Sequence, residues 1–170
     1  MAILNPEHLL AQANRLIQPP GAGPPRQVDL RRAISAAYYA AFHTALIAAA
    51  DEFVGVTLRH TREYALVFRS VDHRGLKLVC EEVVKSTPKP GYAAYIPTGG
   101  FGAEIIDFAD AFPNLQEQRH SADYDPLGRF RTSDAKSVIV TARAIIGRFR
   151  AASAADRKAF LFLLLFPPRR

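Results

Sequence analysis

An all-α helical bundle of five or six helices, mostly antiparallel, is predicted for this chain on three observations. Alanine recurs through AISAAYYAAF, TALIAAAD and RAASAAD, and hydrophobic residues make up 49% of the 170 residues, a mix that suits close-packed helices rather than strands. Apolar residues return at three- and four-residue steps through several long segments. Capping residues stand just before those segments, with proline or glycine beyond them. At this length the chain suits one domain over 1–170, with its core within about 28–150, able to bury that core without disulfides or a metal.

Each element has its own signal. Asn5, Pro6 and Glu7 read as an N-cap, a first-turn proline and a dipole-matched acid, opening a helix that runs to about residue 17. QPPGAGPP, at 18–25, is a stiff connector that cannot continue it. A long central helix follows over about 28–53, with Leu30, Ile34, Ala37, Tyr38, Ala41, Phe42, Ala45 and Leu46 on its apolar face. A third helical pattern spans about 61–85, carrying Tyr64, Val67, Phe68, Val71, Leu78 or Val79, and Val83 on one side, with Gly75 as its weak point. Residues 86–102, STPKPGYAAYIPTGGFG, read as a disordered or lightly tethered loop ahead of the alternative, a binding element. A fourth helix is expected from residue 103 to about 122, kinked at Pro113. Thr132 or Ser133, followed by Asp134, caps a fifth helix ending near 152, with Val138, Ala142, Ile145, Ile146 and Phe149 buried. Ser153 and Asp156 repeat the cap signal for an apolar terminal helix over 153–166, halted by Pro167 and Pro168.

Composition narrows the function classes. Cys80 is the single cysteine, so no internal disulfide and no paired thiolate metal site can form; a core position and a reducing cytoplasm are expected. The N-terminus lacks a basic start followed by an unbroken apolar core, so no secretory signal is expected. The apolar run AFLFLLLF at 159–166 is far below the roughly 20 residues that span a bilayer, so it should pack on the domain or on a partner. The formal charge is +6, with 17 Arg against 5 Lys, a bias that suits bidentate contact with phosphate. GGFG at 99–102 lacks the GK[ST] ending of a phosphate-binding loop. No GxSxG, CxxC or kinase pattern occurs, and His43, His73 and the acids lie in different segments without compact HxxxH or HxxE spacing, so neither cofactor nor metal is expected.

Three clusters carry the candidate chemistry. In RHSADYDP, at 119–126, Arg119, His120, Asp123 and Tyr124 fall within about one and a half helical turns, which gathers a cation, a titratable base and two acceptors. Read structurally, the same residues form an Arg119–Asp123 ion pair at i, i+4 spacing, with Tyr124 packing its ring and Asp125–Pro126 ending the helix; the residues favour this over catalysis. In RSVDHR, at 69–74, Arg69 and His73 share a helical face with Arg74 beside them, and Asp72 can pair with Arg69, giving a basic surface for RNA or a solvated face. On the central helix Tyr38 and Phe42 read as core, while Tyr39 and His43 are open between core and cleft. Arg31 and Arg32 read as exposed charges.

AISAAYYAAFH, at 33–43, and RHSADYDP together resemble the HEPN family of small helical domains over about 28–150. The resemblance implies an RNA-associated protein of toxin or stress-response type, working as a homodimer beside an antitoxin or nucleotidyltransferase-like partner. It also implies a cleft in which Arg119, His120, Asp123 and Tyr124 face Tyr39 and His43. Active ribonucleases of the family carry an Arg, a polar residue, spacers and then a His. Here Arg119 and His120 are in place, but the later position reads Asp123 or Tyr124. Metal-independent cleavage needs a near-neutral base to activate the 2′-hydroxyl and a cation to stabilise the phosphorane. Arg119 suits the cation, whereas Asp123 or Tyr124 would need a displaced pKa and His120 points about 100° away on an ideal helix. The expected function is therefore a non-catalytic module that binds RNA or a nucleotide. The alternatives are a ribonuclease using Arg119 with a substituted base, and a helical dimer formed through 159–166.

Overall fold

The computed structural model describes residues 4–18, 21 and 23–168, and among these every regular element is a helix. Eight α-helices occur in order: α1 (Pro6–Leu16), α2 (Gln27–Phe53), α3 (Arg62–Ser70), α4 (His73–Val83), α5 (Pro90–Ala93), α6 (Ala103–Tyr124), α7 (Thr132–Ala151) and α8 (Ala154–Leu165). A single 3-10 turn, Val56–Leu58, stands between α2 and α3. The all-α class holds, but the expected count of five or six is too low. The segment 61–85 divides at Val71 and Asp72, both extended, and the segment 86–102 contains α5. The division falls before Gly75 because the Asp72 carboxylate accepts the Gly75 N–H at 2.6 Å, capping a new helix. Gly75 sits in that first turn, where a Cβ would lie 3.2 Å from the capping oxygen.

Local signals set most helix ends. Asn5 Oδ1 accepts the Glu7 N–H at 2.9 Å, and Ser153 Oγ accepts the Asp156 N–H at 3.0 Å, as their cap patterns predict. At α7 the N-cap is Arg131 instead of Thr132 or Ser133: its N–H donates to Asp134 Oδ2 at 2.7 Å, so the acid reaches back over the first turn. Helix α6 continues through Pro113 and ends at Tyr124, two residues beyond the expected 122. Pro19, Pro20 and Ala22 of the QPPGAGPP connector lie outside the described residues.

Helix α2 is the centre, packing against α1, α3, α6, α7 and α8. Ala33, Ala37, Ala40, Ala41, Ala45 and Ala49 are fully buried along it, and their small side chains let neighbouring helices approach closely. By length and composition α2 is the one described helix apolar enough to cross a bilayer, a property the shorter run at 159–166 lacks. Since 78% of that window is buried inside the fold, it is accounted for as a core helix. Phe108 and Phe112 of α6, Phe149 of α7 and Phe160 of α8 meet with ring centroids 4.8 to 6.0 Å apart. In α8, Phe160, Leu161, Leu163 and Leu164 are buried against the bundle, while Phe162 and Phe166 stay exposed. Cys80 is a buried free thiol, its pKa pushed well up by burial.

Residues 86–102 are anchored and not lightly tethered. The Glu82 side chain is 0% exposed; it accepts from Lys85 Nζ at 2.6 Å and from the Lys89 N–H at 3.0 Å, and Lys89 Nζ lies 3.5 Å away. Tyr92 and Phe101 are buried from the same segment.

Candidate functional site

Helices α2, α4 and α6 bring Tyr39, His43, His73 and Arg119 to one place. Arg119 follows from the geometry of α6: its side chain is 13% exposed, its Nη2 donates to the Tyr39 hydroxyl at 2.8 Å, and its Nε lies 2.8 Å from Asp123 Oδ2. The Asp123 contact is ionic, lying off the N–H direction, so Nε is buried without a hydrogen bond. The guanidinium carbon sits 5.3, 5.8 and 5.5 Å from the ring centroids of Tyr39, Tyr38 and Tyr124, a triple cation–π arrangement. Asp123 Oδ2 also accepts from Ser35 Oγ at 3.3 Å. The i, i+4 ion pair is thus present, and Tyr39 is half-buried, its ring packed against the core and its hydroxyl on Arg119.

His73 departs from its sequence reading. It opens α4, separate from the helix that carries Arg69, so the two share no helical face and Asp72 serves as a cap instead of pairing with Arg69. Its ring turns inward, 4.1 Å from the Phe42 ring centroid and 5.7 Å from that of Tyr39, and its Nδ1 is 2.7 Å from the Tyr38 hydroxyl. His43 stacks on Phe68 with centroids 5.7 Å apart, and its buried Nδ1 has no partner among the described residues. Burial lowers the pKa of both imidazoles, helped at His43 by His73 and at His73 by Arg119, with Asp72 opposing. The unfolded chain therefore takes up protons first, and the stability tied to the neutral rings is present above 6.5 and falls as pH drops through the lower folded values. The melting temperature is expected to drop between pH 7.5 and about pH 5, and a His43→Phe, His73→Gln double variant should show a flatter slope.

The other expected residues stand outside this cluster. Arg69 is exposed and donates Nε to the Ala65 carbonyl at 3.2 Å, and Arg74 is exposed one residue beyond His73. His120 is exposed, and its ring lies 5.0 Å from that of Tyr124. Beside it is a groove of about 450 Å³ lined by Lys77, Gln116, Glu117, Arg119, His120 and Ser121. Lys77 there binds Glu117 at 3.0 Å and lies 3.7 Å from Glu81. Gln116 Oε1 is buried without a partner among the described residues, and nothing in the sequence pattern singles it out. Among the described residues no group of three or more His, Cys, Asp or Glu is placed to hold a metal.

Arg31 is the residue that sequence reading missed. Instead of an exposed charge, it donates to the carbonyls of Ala122 at 2.9 Å, Asp125 at 2.8 Å and Gly128 at 2.5 Å, closing the end of α6 and the turn after it. It thereby positions Asp123 and Tyr124. Arg31→Ala is expected to cost about 2 kcal/mol, since three carbonyls lose a charged donor. Amide exchange at residues 122–128 should quicken selectively, and uniform exchange across the chain would count against the assignment.

Comparison with protein-family models, with curated proteins and with solved structures finds no match.

Proposed function

We propose that this chain is a HEPN-like, RNA-associated module that holds single-stranded RNA or a nucleotide at the α4–α6 groove beside Arg119 without cleaving it. The observation that carries the reading is the commitment of Arg119. A cation that stabilises a phosphorane must face the phosphate. This guanidinium instead faces the Tyr39 hydroxyl, the Asp123 carboxylate and three tyrosine rings. What turns outward is a stacking surface: Tyr124 is 61% exposed, paired with the exposed His120 beside the groove. Unpaired bases stack on such rings with little regard for sequence, and the charge of +6 adds long-range attraction. The family pattern adds a homodimer to this reading. Fluorescence anisotropy with labelled single-stranded RNA is expected to show saturable binding that weakens from about 50 to about 200 mM salt. Tyr124→Ala should weaken it by about 1 to 3 kcal/mol, and the RNA should emerge intact on a gel. Absence of binding at the lower salt rejects the proposal.

One observation favours a second reading, a metal-independent ribonuclease. The imidazole of His73, which the linear motif does not contain, lies against the same Tyr38 and Tyr39 rings that hold Arg119. Cleavage by the wild type that vanishes in His73→Ala, with helix content unchanged, would replace the binding reading with this one.

A further inference from the structure

The C-terminal half of α2 forms one wall of a separate cavity of about 580 Å³. The start of α1, Arg59 after the 3-10 turn, the end of α7 and the first turn of α8 complete it. None of its lining residues lines the groove beside Arg119.

Three of those lining residues are arginines, Arg59, Arg150 and Arg157. Arg59 grips Asp51 with two hydrogen bonds, Nε to Oδ1 at 2.8 Å and Nη2 to Oδ2 at 2.5 Å. Tyr64 donates its hydroxyl to the same carboxylate at 2.9 Å, which saturates Asp51 and fixes the Arg59 fork. Arg150 Nη1 binds Glu7 at 2.6 Å, but Glu7 is shared, since Arg143 lies 4.0 Å from its other oxygen. Arg157 donates Nη1 to the carbonyls of Arg150 and Ala152, both at 3.1 Å, and meets no carboxylate among the described residues. Capping the end of α7 accounts for that one nitrogen of Arg157. It leaves the rest of the fork uncommitted, beside a second guanidinium and above an apolar wall of Ile47 and Ala48. Three guanidiniums line this cavity, those of Arg59, Arg150 and Arg157, with one lining carboxylate, that of Asp51, and with Glu7 bound to Arg150 beside it. Such an excess of positive charge calls for an anion.

We propose that this cavity binds a small organic phosphate, with the phosphate on Arg150 and Arg157 and the apolar portion against Ile47 and Ala48. Guanidinium forks match the spacing of phosphate oxygens, and the volume falls in the usual range of small-molecule pockets, about 300 to 1,000 Å³. The proposal stands independently of RNA binding at Arg119.

Isothermal titration of the full chain with AMP and with inorganic phosphate tests it. AMP is expected to bind saturably and more tightly than inorganic phosphate. Arg150→Gln should weaken AMP by roughly tenfold or more, the loss for one charge-assisted hydrogen bond. That variant gives up only an exposed ion pair, and Ala48→Glu, which sets a carboxylate against the cavity wall, should weaken AMP as well. The proposal is overturned by the absence of saturable AMP binding, by wild-type affinity in both Arg150→Gln and Ala48→Glu, or by a loss confined to Tyr124→Ala, which would put the nucleotide at the other site. Equal affinities for phosphate and AMP would overturn the role given to the apolar wall.

Discussion

Glu82→Ala is expected to lower stability by about 1 to 3 kcal/mol, because it leaves the partly buried Lys89 amide without its acceptor and removes the shared partner of two half-exposed ammonium groups. In the wild type the Glu82 carboxylate holds Lys85 Nζ at 2.6 Å, the Lys89 N–H at 3.0 Å and Lys89 Nζ at 3.5 Å. Burial raises its pKa, but those hydrogen bonds and charges more than offset the rise, so the carboxyl sits below its usual 4.5. Its contribution is accordingly complete above 4.5 and is lost as pH falls through the lower folded value. The effect should also be local. Residues 86–102 would lose their anchor, so trypsin should nick the variant after Lys85 faster than the wild type under native conditions. Glu82→Gln keeps the shape and one acceptor and should fall between the two. A denaturation midpoint for Glu82→Ala equal to the wild type's would mean that Tyr92 and Phe101 alone hold the segment.

Arg119→Ala is expected to cost about 2 to 3 kcal/mol in urea unfolding, a structural loss that precedes any effect on ligand. Removing the guanidinium leaves Asp123 with only the weak Ser35 contact, frees the Tyr39 hydroxyl and deprives three tyrosine faces of their cation. Arg119→Lys keeps the charge, but a compact ammonium cannot serve a hydroxyl and a carboxylate while lying flat on rings, so it should recover only part of the loss. Measuring both variants separates two roles. A wild-type midpoint in Arg119→Ala would mean that the side chain is free for a substrate phosphate and not committed to Tyr39 and Asp123. A large loss in Arg119→Ala, partly restored in Arg119→Lys, places the residue among those that hold α6 to α2.

The sequence by itself determined what depends on neighbours within about one helical turn. The caps at Asn5 and Ser153, the buried stripe from Leu30 to Leu46, the Arg119–Asp123 pair and the helix end at Asp125–Pro126 all belong here, because each is written in residues four or fewer apart, or in their repetition. Tertiary structure decided the rest. Arg31 finds its carbonyls 91 to 97 residues away, Tyr39 meets Arg119 across 80, and His73 reaches Tyr38 across 35. Periodicity can state that such residues lie near a face but not which polar group awaits them there. The break at Val71–Asp72 shows the same limit at short range. Helical spacing runs across it in Tyr64, Val71 and Val79, all buried, yet the Asp72 cap and the inward turn of His73 end one helix and begin another. The physical reason is that a polar side chain leaving water must satisfy its hydrogen bonds inside the fold, and the partners it finds are set by how the helices pack.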